Sequence, residues 1–146
     1  MNVTELIQSV LTPVALISGT GLITLTIQTR YGRVIDRLRE FSKELAEIGD
    51  RSPKRREIVK AQMDILIRRG ALLRNALFSL YFTVFLTVLS SIFVLISSLG
   101  ASLLTFSLIF FAAALFSLMV GMVIALFEVL ISYSAARNEA LQTISM

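Results

Sequence analysis

Two long stretches of the chain carry no charged residue. Leu6–Thr29 is 24 residues long, and Asn75–Phe127 is 53 residues long. A membrane-spanning helix needs about 20 apolar residues at about 1.5 Å of rise each. The first stretch therefore predicts one transmembrane helix. The second is too long for one span, and the serine- and glycine-containing segment Ser97–Ser102 predicts a turn that divides it into spans over 76–99 and 103–132.

The segment between the first two spans, residues 30–75, is charged but keeps a helical period. Apolar residues and one glycine recur there at alternating spacings of four and three, which is typical of helix faces that pack on another helix. They are Val34, Leu38, Phe41, Leu45 and Ile48, and then Val59, Met63, Leu66, Gly70 and Leu73. Gly49 suits a helix end, Ser52 can cap a new helix, and Pro53 fits its first position. We therefore expect a helical hairpin with its turn at 49–53.

The charges of this hairpin can pair across the turn. Antiparallel packing would place Glu47 opposite Arg55, and Glu44 near Arg56 and Lys60. Exposed ion pairs of this kind contribute only about 0–1 kcal/mol each. The charges therefore fit a solvated hairpin surface and do not by themselves indicate a binding site.

The distribution of basic residues predicts how the chain is oriented. Thirteen of the 14 Lys and Arg residues lie between Arg30 and Arg74, and the last is Arg137. Short loops rich in Lys and Arg stay in the cytoplasm. We expect the hairpin and the 133–146 tail to be cytoplasmic and the N-terminus to lie outside. The fold class is then all-α, a single membrane domain over 1–146 with three transmembrane helices and a cytoplasmic antiparallel hairpin between the first and second.

The first span is expected to remain in the protein. A signal peptide has a basic segment before a short apolar core. Here Glu5 precedes the run, and Arg30 ends it. The net charge of +4 also fits the orientation signal, so we expect no nucleic-acid partner.

Composition limits the chemistry further. Hydrophobic residues make up 55% of the chain and charged residues 16%, and neither cysteine nor histidine occurs. Disulfides, thiolate chemistry and histidine-ligated zinc are therefore excluded. We expect no enzymatic activity, no catalytic residue, no cofactor and no metal site.

One face of the first span is less apolar than the rest. It holds hydroxyl and small residues and continues into arginines: Thr12, Gly19, Thr26, Arg30, Arg33 and Arg37. In a homo-oligomer such a face could line a pore, with arginine rings at its mouth that favour anions. The alternative is that the threonine hydroxyls bond to the preceding turn and the small residues allow tight packing.

The third span carries a stripe of small residues at a four-residue spacing. The stripe consists of Ala113, Ser117, Gly121 and Ala125. Small residues at this spacing let helix backbones approach closely in lipid. The partner helix belongs either to the same chain or to another copy, and the sequence leaves both alternatives open.

Glu128 is the one acid embedded in the third span. Counted from Ala101, it lies about 40 Å along the helix axis, which brings it to the cytoplasmic boundary. We expect it to form an interfacial ion pair with Arg33 or Arg74, while Asp36 offsets Arg33 and Arg37 on the hairpin.

The segment PVALISGTGLITLTIQTRYGRVIDRLRE, residues 13–40, resembles a bacterial membrane family, the domain-of-unknown-function family 2721. The resemblance rests on a proline early in the first helix and an R-x-x-R-x-x-D-R motif at the membrane edge. These residues are Pro13, Arg30, Arg33, Asp36 and Arg37. Residues 68–77 and the segment around Glu128 add to it. The resemblance implies a multi-pass protein of the bacterial inner membrane and implies no reaction.

Two functions remain open. The first is a homo-oligomeric ion channel or pore, with the lipid bilayer, copies of the chain and ions as its partners. The second is a non-conducting scaffold or regulatory subunit whose hairpin docks a cytoplasmic partner.

Overall fold

The structure is a computed structural model. It describes the backbone of residues 3–48, 52–98 and 104–144, and the side chains of residues 11–48, 52–97 and 104–132. The two predicted turns lie largely outside these ranges.

The described chain forms three α-helices. They are α1, Val3–Ile48, α2, Pro53–Ser98, and α3, Leu104–Ile144. Each is long and apolar enough to cross a membrane. The predicted all-α fold with three apolar helices is therefore confirmed.

Both α1 and α2 are much longer than a membrane span. Each has 46 residues, which corresponds to about 69 Å at 1.5 Å per residue, whereas the hydrocarbon core of a bilayer is about 30 Å thick. α1 continues without a break past Thr29, and α2 continues without a break past Asn75. At the start of α2 the amide of Arg56 donates to the Ser52 carbonyl at 3.1 Å, and Pro53 is the first helical residue. The charged segments therefore extend the apolar helices and do not form separate elements.

The end of α3 differs from the expected tail. The third span is predicted to end at residue 132, but α3, the helix that contains it, runs on to Ile144. No glycine or proline occurs in residues 133–144. Since these are the two residues that most disfavour a helix interior, nothing local ends the helix there.

α2 is the central helix, because it packs against both α1 and α3. The core consists of buried side chains from α1 and α2: Ile27, Val34, Leu66, Leu73, Ala76, Leu77 and Leu80. Leu118, Ile124 and Ala125 of α3 pack against this cluster. The predicted seams are confirmed at Val34 and Gly70, where a Cβ built on the glycine would lie 3.5 Å from Val34 Cγ1.

Arg55 and Glu44 form an ion pair between the charged halves of α1 and α2. Arg55 Nη2 donates to Glu44 Oε1 at 2.8 Å, and Arg55 Nε donates to the same oxygen at 3.2 Å. The expected partner of Arg55 was Glu47, one turn further along α1. Counting residues from the turn determines the register of two helices only to within about one turn, because the turn's own geometry decides the rest.

Two pairs of serines join α2 to α3. Ser79 Oγ donates to the Ser117 carbonyl at 2.7 Å, and Ser117 Oγ donates to the Ser79 carbonyl at 2.9 Å. Ser90 and Ser107 repeat this reciprocal arrangement at 2.9 and 3.0 Å. We call each pair a serine clamp. Because serine is small, both helix backbones approach closely enough for side chain and carbonyl to bond in each direction.

We expect the double substitution Ser79→Ala with Ser117→Ala to lower the free energy of unfolding by about 1–2 kcal/mol, because interhelical hydrogen bonds in membranes contribute about 0.6 kcal/mol each and 1.7 at most. Reversible unfolding in mixed micelles measures this. Ser91→Ala is the matched control, since the Ser91 hydroxyl bonds to Thr87 within its own helix at 2.9 Å. If Ser91→Ala lowered the free energy of unfolding as much per serine as the double substitution does, the serine clamps would not stabilise the protein as interhelical hydrogen bonds.

Candidate functional site

Residues of all three helices line a polar pocket, open on one side, where the apolar stretches of the sequence end. Its volume is about 610 Å³. Its charged and polar lining comes from all three helices: Arg30, Arg33 and Arg37 of α1, Gln62 and Arg69 of α2, and Glu128 and Ser132 of α3. Val34, Ile65 and Leu66 are among its apolar lining residues. We call this site the arginine pocket.

Glu128 is the buried carboxylate of the pocket, with 1% of its surface exposed. Its Oε1 accepts hydrogen bonds from Arg69 Nε at 3.1 Å and from Arg69 Nη2 at 3.0 Å. Its Oε2 lies 3.8 Å from Arg30 Nη1. One carboxylate on α3 therefore contacts a guanidinium group on each of the other two helices.

The observed ion-pair partners of Glu128 differ from the expected ones. Glu128 pairs with Arg69 and Arg30, and not with Arg33 or Arg74. Arg69 and Arg74 are five residues apart, which places them about 140° apart around α2. Arg69 lies on the side of α2 that packs into the bundle, whereas Arg74 is exposed.

The sequence held a signal for Arg69 that the charge pattern alone did not reveal. Arg69, Ala76, Thr83 and Ser90 recur every seven residues along α2. The last three are all buried, with at most 3% of their surface exposed. Residues seven apart share one helix face, so Arg69 continues a face of small residues. A basic residue in line with such a face is a better candidate partner for a buried acid than one at the same depth on another face.

Arg33 and Arg37 lie on the open side of the pocket and are exposed. Within the part of the chain that the structure describes, neither forms an ion pair. Asp36, expected to offset Arg33, instead lies 3.7 Å from Arg39 in a pair that is about three-quarters exposed on both sides. An exposed pair of this kind contributes little.

The predicted pore residues of α1 lie outside the core. Thr12, Gly19 and Thr26 are all exposed. A Cβ added at Gly19 would meet no heavy atom within 4 Å. The hydroxyl of Thr26 donates to the Leu22 carbonyl at 3.1 Å, which is the back-bonding that the alternative interpretation expects. Of the predicted face, Arg30, Arg33 and Arg37 line the arginine pocket.

The small-residue stripe of α3 packs within the chain at three of its four positions. Ser117 belongs to a serine clamp, and a Cβ on Gly121 would lie 3.3 Å from side-chain atoms of Leu80 and Ser79. Ala125 packs against the core cluster, and Ala113 is partly buried. The described contacts therefore favour packing within the chain at Ser117, Gly121 and Ala125.

The chain has three helices that are long and apolar enough to span a membrane. Arginines and one buried carboxylate lie at the end of the apolar region. These features define the class of this protein, which is a multi-pass α-helical membrane protein. A family model described as "Protein of unknown function (DUF2721)" matches residues 10–138, and the chain belongs to that family. No curated protein and no solved structure matches the chain.

Proposed function

We propose that the protein is a homo-oligomer of the bacterial inner membrane in which the polar face of α1 lines a pathway for small anions. In this arrangement Thr12, Gly19 and Thr26 lie within the membrane. The arginines at the end of that face form the cytoplasmic mouth. The protein would act by conduction and without catalysis.

The observation that carries this proposal is that α1 has two distinct faces and only one is covered. Thr20, Thr24 and Ile27 are buried, with at most 7% of their surface exposed. The face that carries Gly19 and Thr26 lies about 100° further around the helix, and both residues are exposed. In lipid, small residues are enriched where helices approach one another. A second copy of the chain would supply the missing neighbour.

The distribution of charge supports the proposed orientation of the chain in the membrane and the proposed selectivity for anions. The arginine-rich halves of α1 and α2 would lie in the cytoplasm under the positive-inside rule, with the N-terminus outside. Arg30, Arg33 and Arg37 would then recur in each subunit around the axis. Rings of arginine attract anions and repel cations.

Cysteine accessibility tests the pathway directly, because the chain has no cysteine of its own. We expect Gly19→Cys and Thr26→Cys, in protein reconstituted in liposomes, to react with a charged methanethiosulfonate at least about tenfold faster than lipid-facing positions, since the reactive thiolate forms only in contact with water. Modification should also reduce chloride efflux.

Gly21→Cys and Leu25→Cys are the matched controls. A Cβ at Gly21 likewise meets no heavy atom within 4 Å, and Leu25 is 62% exposed, but both lie on the side of α1 away from the polar face. Equal reactivity at all four positions, or chloride efflux no greater than that of empty liposomes, would contradict the channel.

A scaffold is the second candidate, and exposed isoleucines favour it. Ile58 and Ile65 lie seven residues apart on one side of the charged half of α2, and each is about half exposed. Apolar residues exposed in a segment expected to lie in water can mark a docking surface. A scaffold predicts that the four cysteines react alike and that the liposomes stay impermeable to chloride.

A further inference from the structure

We propose that the arginine pocket binds a phosphate-bearing anion through Arg33 and Arg37, with Arg30 beside them. One chain supplies every residue that lines the pocket. The proposal therefore depends neither on conduction nor on assembly of several copies.

The charges of the pocket favour an anionic ligand. Four arginines and one carboxylate line it, which leaves a formal charge of +3. Arg69 directs both Nε and Nη2 to Glu128. Arg30 lies 3.8 Å from that carboxylate, which is longer than a hydrogen bond. Arg30, Arg33 and Arg37 thus keep donors that Glu128 does not satisfy.

The spacing of these arginines suits a phosphate group. Arg30, Arg33 and Arg37 lie within about 60° of one another around α1, and the first and last are about 10 Å apart along its axis. A guanidinium group presents its donors in a planar fork that matches two phosphate oxygens at once. Two neighbouring arginines can therefore hold one phosphate from both sides.

The size and the apolar lining indicate that the ligand is more than inorganic phosphate. Pockets for small organic ligands have volumes of about 300–1,000 Å³, and this one has about 610 Å³. Val34, Ile65 and Leu66 add apolar surface beside the arginines. A phosphate ester with an attached apolar or glycerol part fits this combination.

The position of the pocket along the helices suggests where such a ligand comes from. Arg30 directly follows the first uncharged stretch, and Glu128 directly follows the second. The pocket therefore lies where the hydrocarbon core ends and lipid phosphates begin. Phospholipids of the leaflet and soluble organic phosphates share the chemistry that the arginines recognise, and the apolar lining favours the lipid.

Binding to the full-length protein in neutral detergent tests the proposal. The probes are phosphatidylglycerol, diacylglycerol as its phosphate-free counterpart, and glycerol 3-phosphate, each followed by native mass spectrometry. We expect phosphatidylglycerol to bind more tightly than diacylglycerol. The double substitution R33Q/R37Q should weaken the binding of phosphatidylglycerol about tenfold or more, because hydrogen bonds to charged groups are stronger than those between neutral groups.

R39Q/R68Q is the matched control. It also removes two positive charges, one from α1 and one from α2, at side chains that are 75% and 81% exposed and lie outside the pocket. We expect it to retain wild-type binding. Displacement of the lipid by glycerol 3-phosphate would support a soluble phosphate as the ligand, and retention of the lipid would support the leaflet. Equal weakening by both double substitutions, or no preference for phosphatidylglycerol over diacylglycerol, would overturn the site.

Discussion

Replacing Glu128 by glutamine should lower the free energy of unfolding by about 3 kcal/mol, because removal of one partner from a buried ion pair leaves the other charge uncompensated. Glu128 is buried and accepts two hydrogen bonds from Arg69. Glutamine has nearly the same shape, so the loss reports the charge and its bonds and not the packing. Reversible unfolding in mixed micelles measures the change.

Two arginines of α2 provide the matched comparison. Arg69→Gln should cost about as much as Glu128→Gln, whereas Arg74→Gln, at an exposed position, should stay within about 0.5 kcal/mol of wild type. The double substitution E128Q/R69Q should cost less than the two single losses added together, since residues in contact are coupled. If Arg74→Gln lowered the free energy of unfolding as much as Arg69→Gln does, the described pairing of Glu128 with Arg69 would be wrong.

Replacing Gly121 by leucine should destabilise the protein by about 3 kcal/mol or more, because extra atoms in a closely packed contact force the helices apart. A Cβ alone would already lie 3.3 Å from Leu80 and Ser79. The remaining atoms of leucine have to displace α3 from α2, and this displacement also opens the serine clamp between Ser79 and Ser117. The midpoint of thermal unfolding in detergent should fall accordingly.

Gly21→Leu is the control for that substitution. A Cβ at Gly21 meets no heavy atom within 4 Å, so leucine has room there. Its side chain would face lipid, and we expect the stability to change by no more than about 0.5 kcal/mol. If Gly121→Leu were as well tolerated as Gly21→Leu, the close approach of α2 and α3 at this level would be incorrect.

The sequence determined the number of helices, their character and several of their ends. Charge-free stretches longer than about 20 residues and the start at Pro53 are local features, and they can be read without knowing any contact. The extension of α3 to Ile144 is also predictable from the sequence, because no glycine or proline follows Ser132. The periodic seams likewise located the buried residues Val34, Leu66 and Leu73.

The candidate site depended on the tertiary structure. Hydropathy gives the depth of a residue along its helix, and at similar depth Arg33 and Arg74 were equivalent candidates for Glu128. The rotation of each helix about its axis and the register between helices decide which side chains meet, and these follow from packing across the whole bundle. That packing turned Arg69 toward Glu128 and left Arg74 exposed. The arginine pocket likewise exists only because segments far apart in the sequence meet at one level of the bundle.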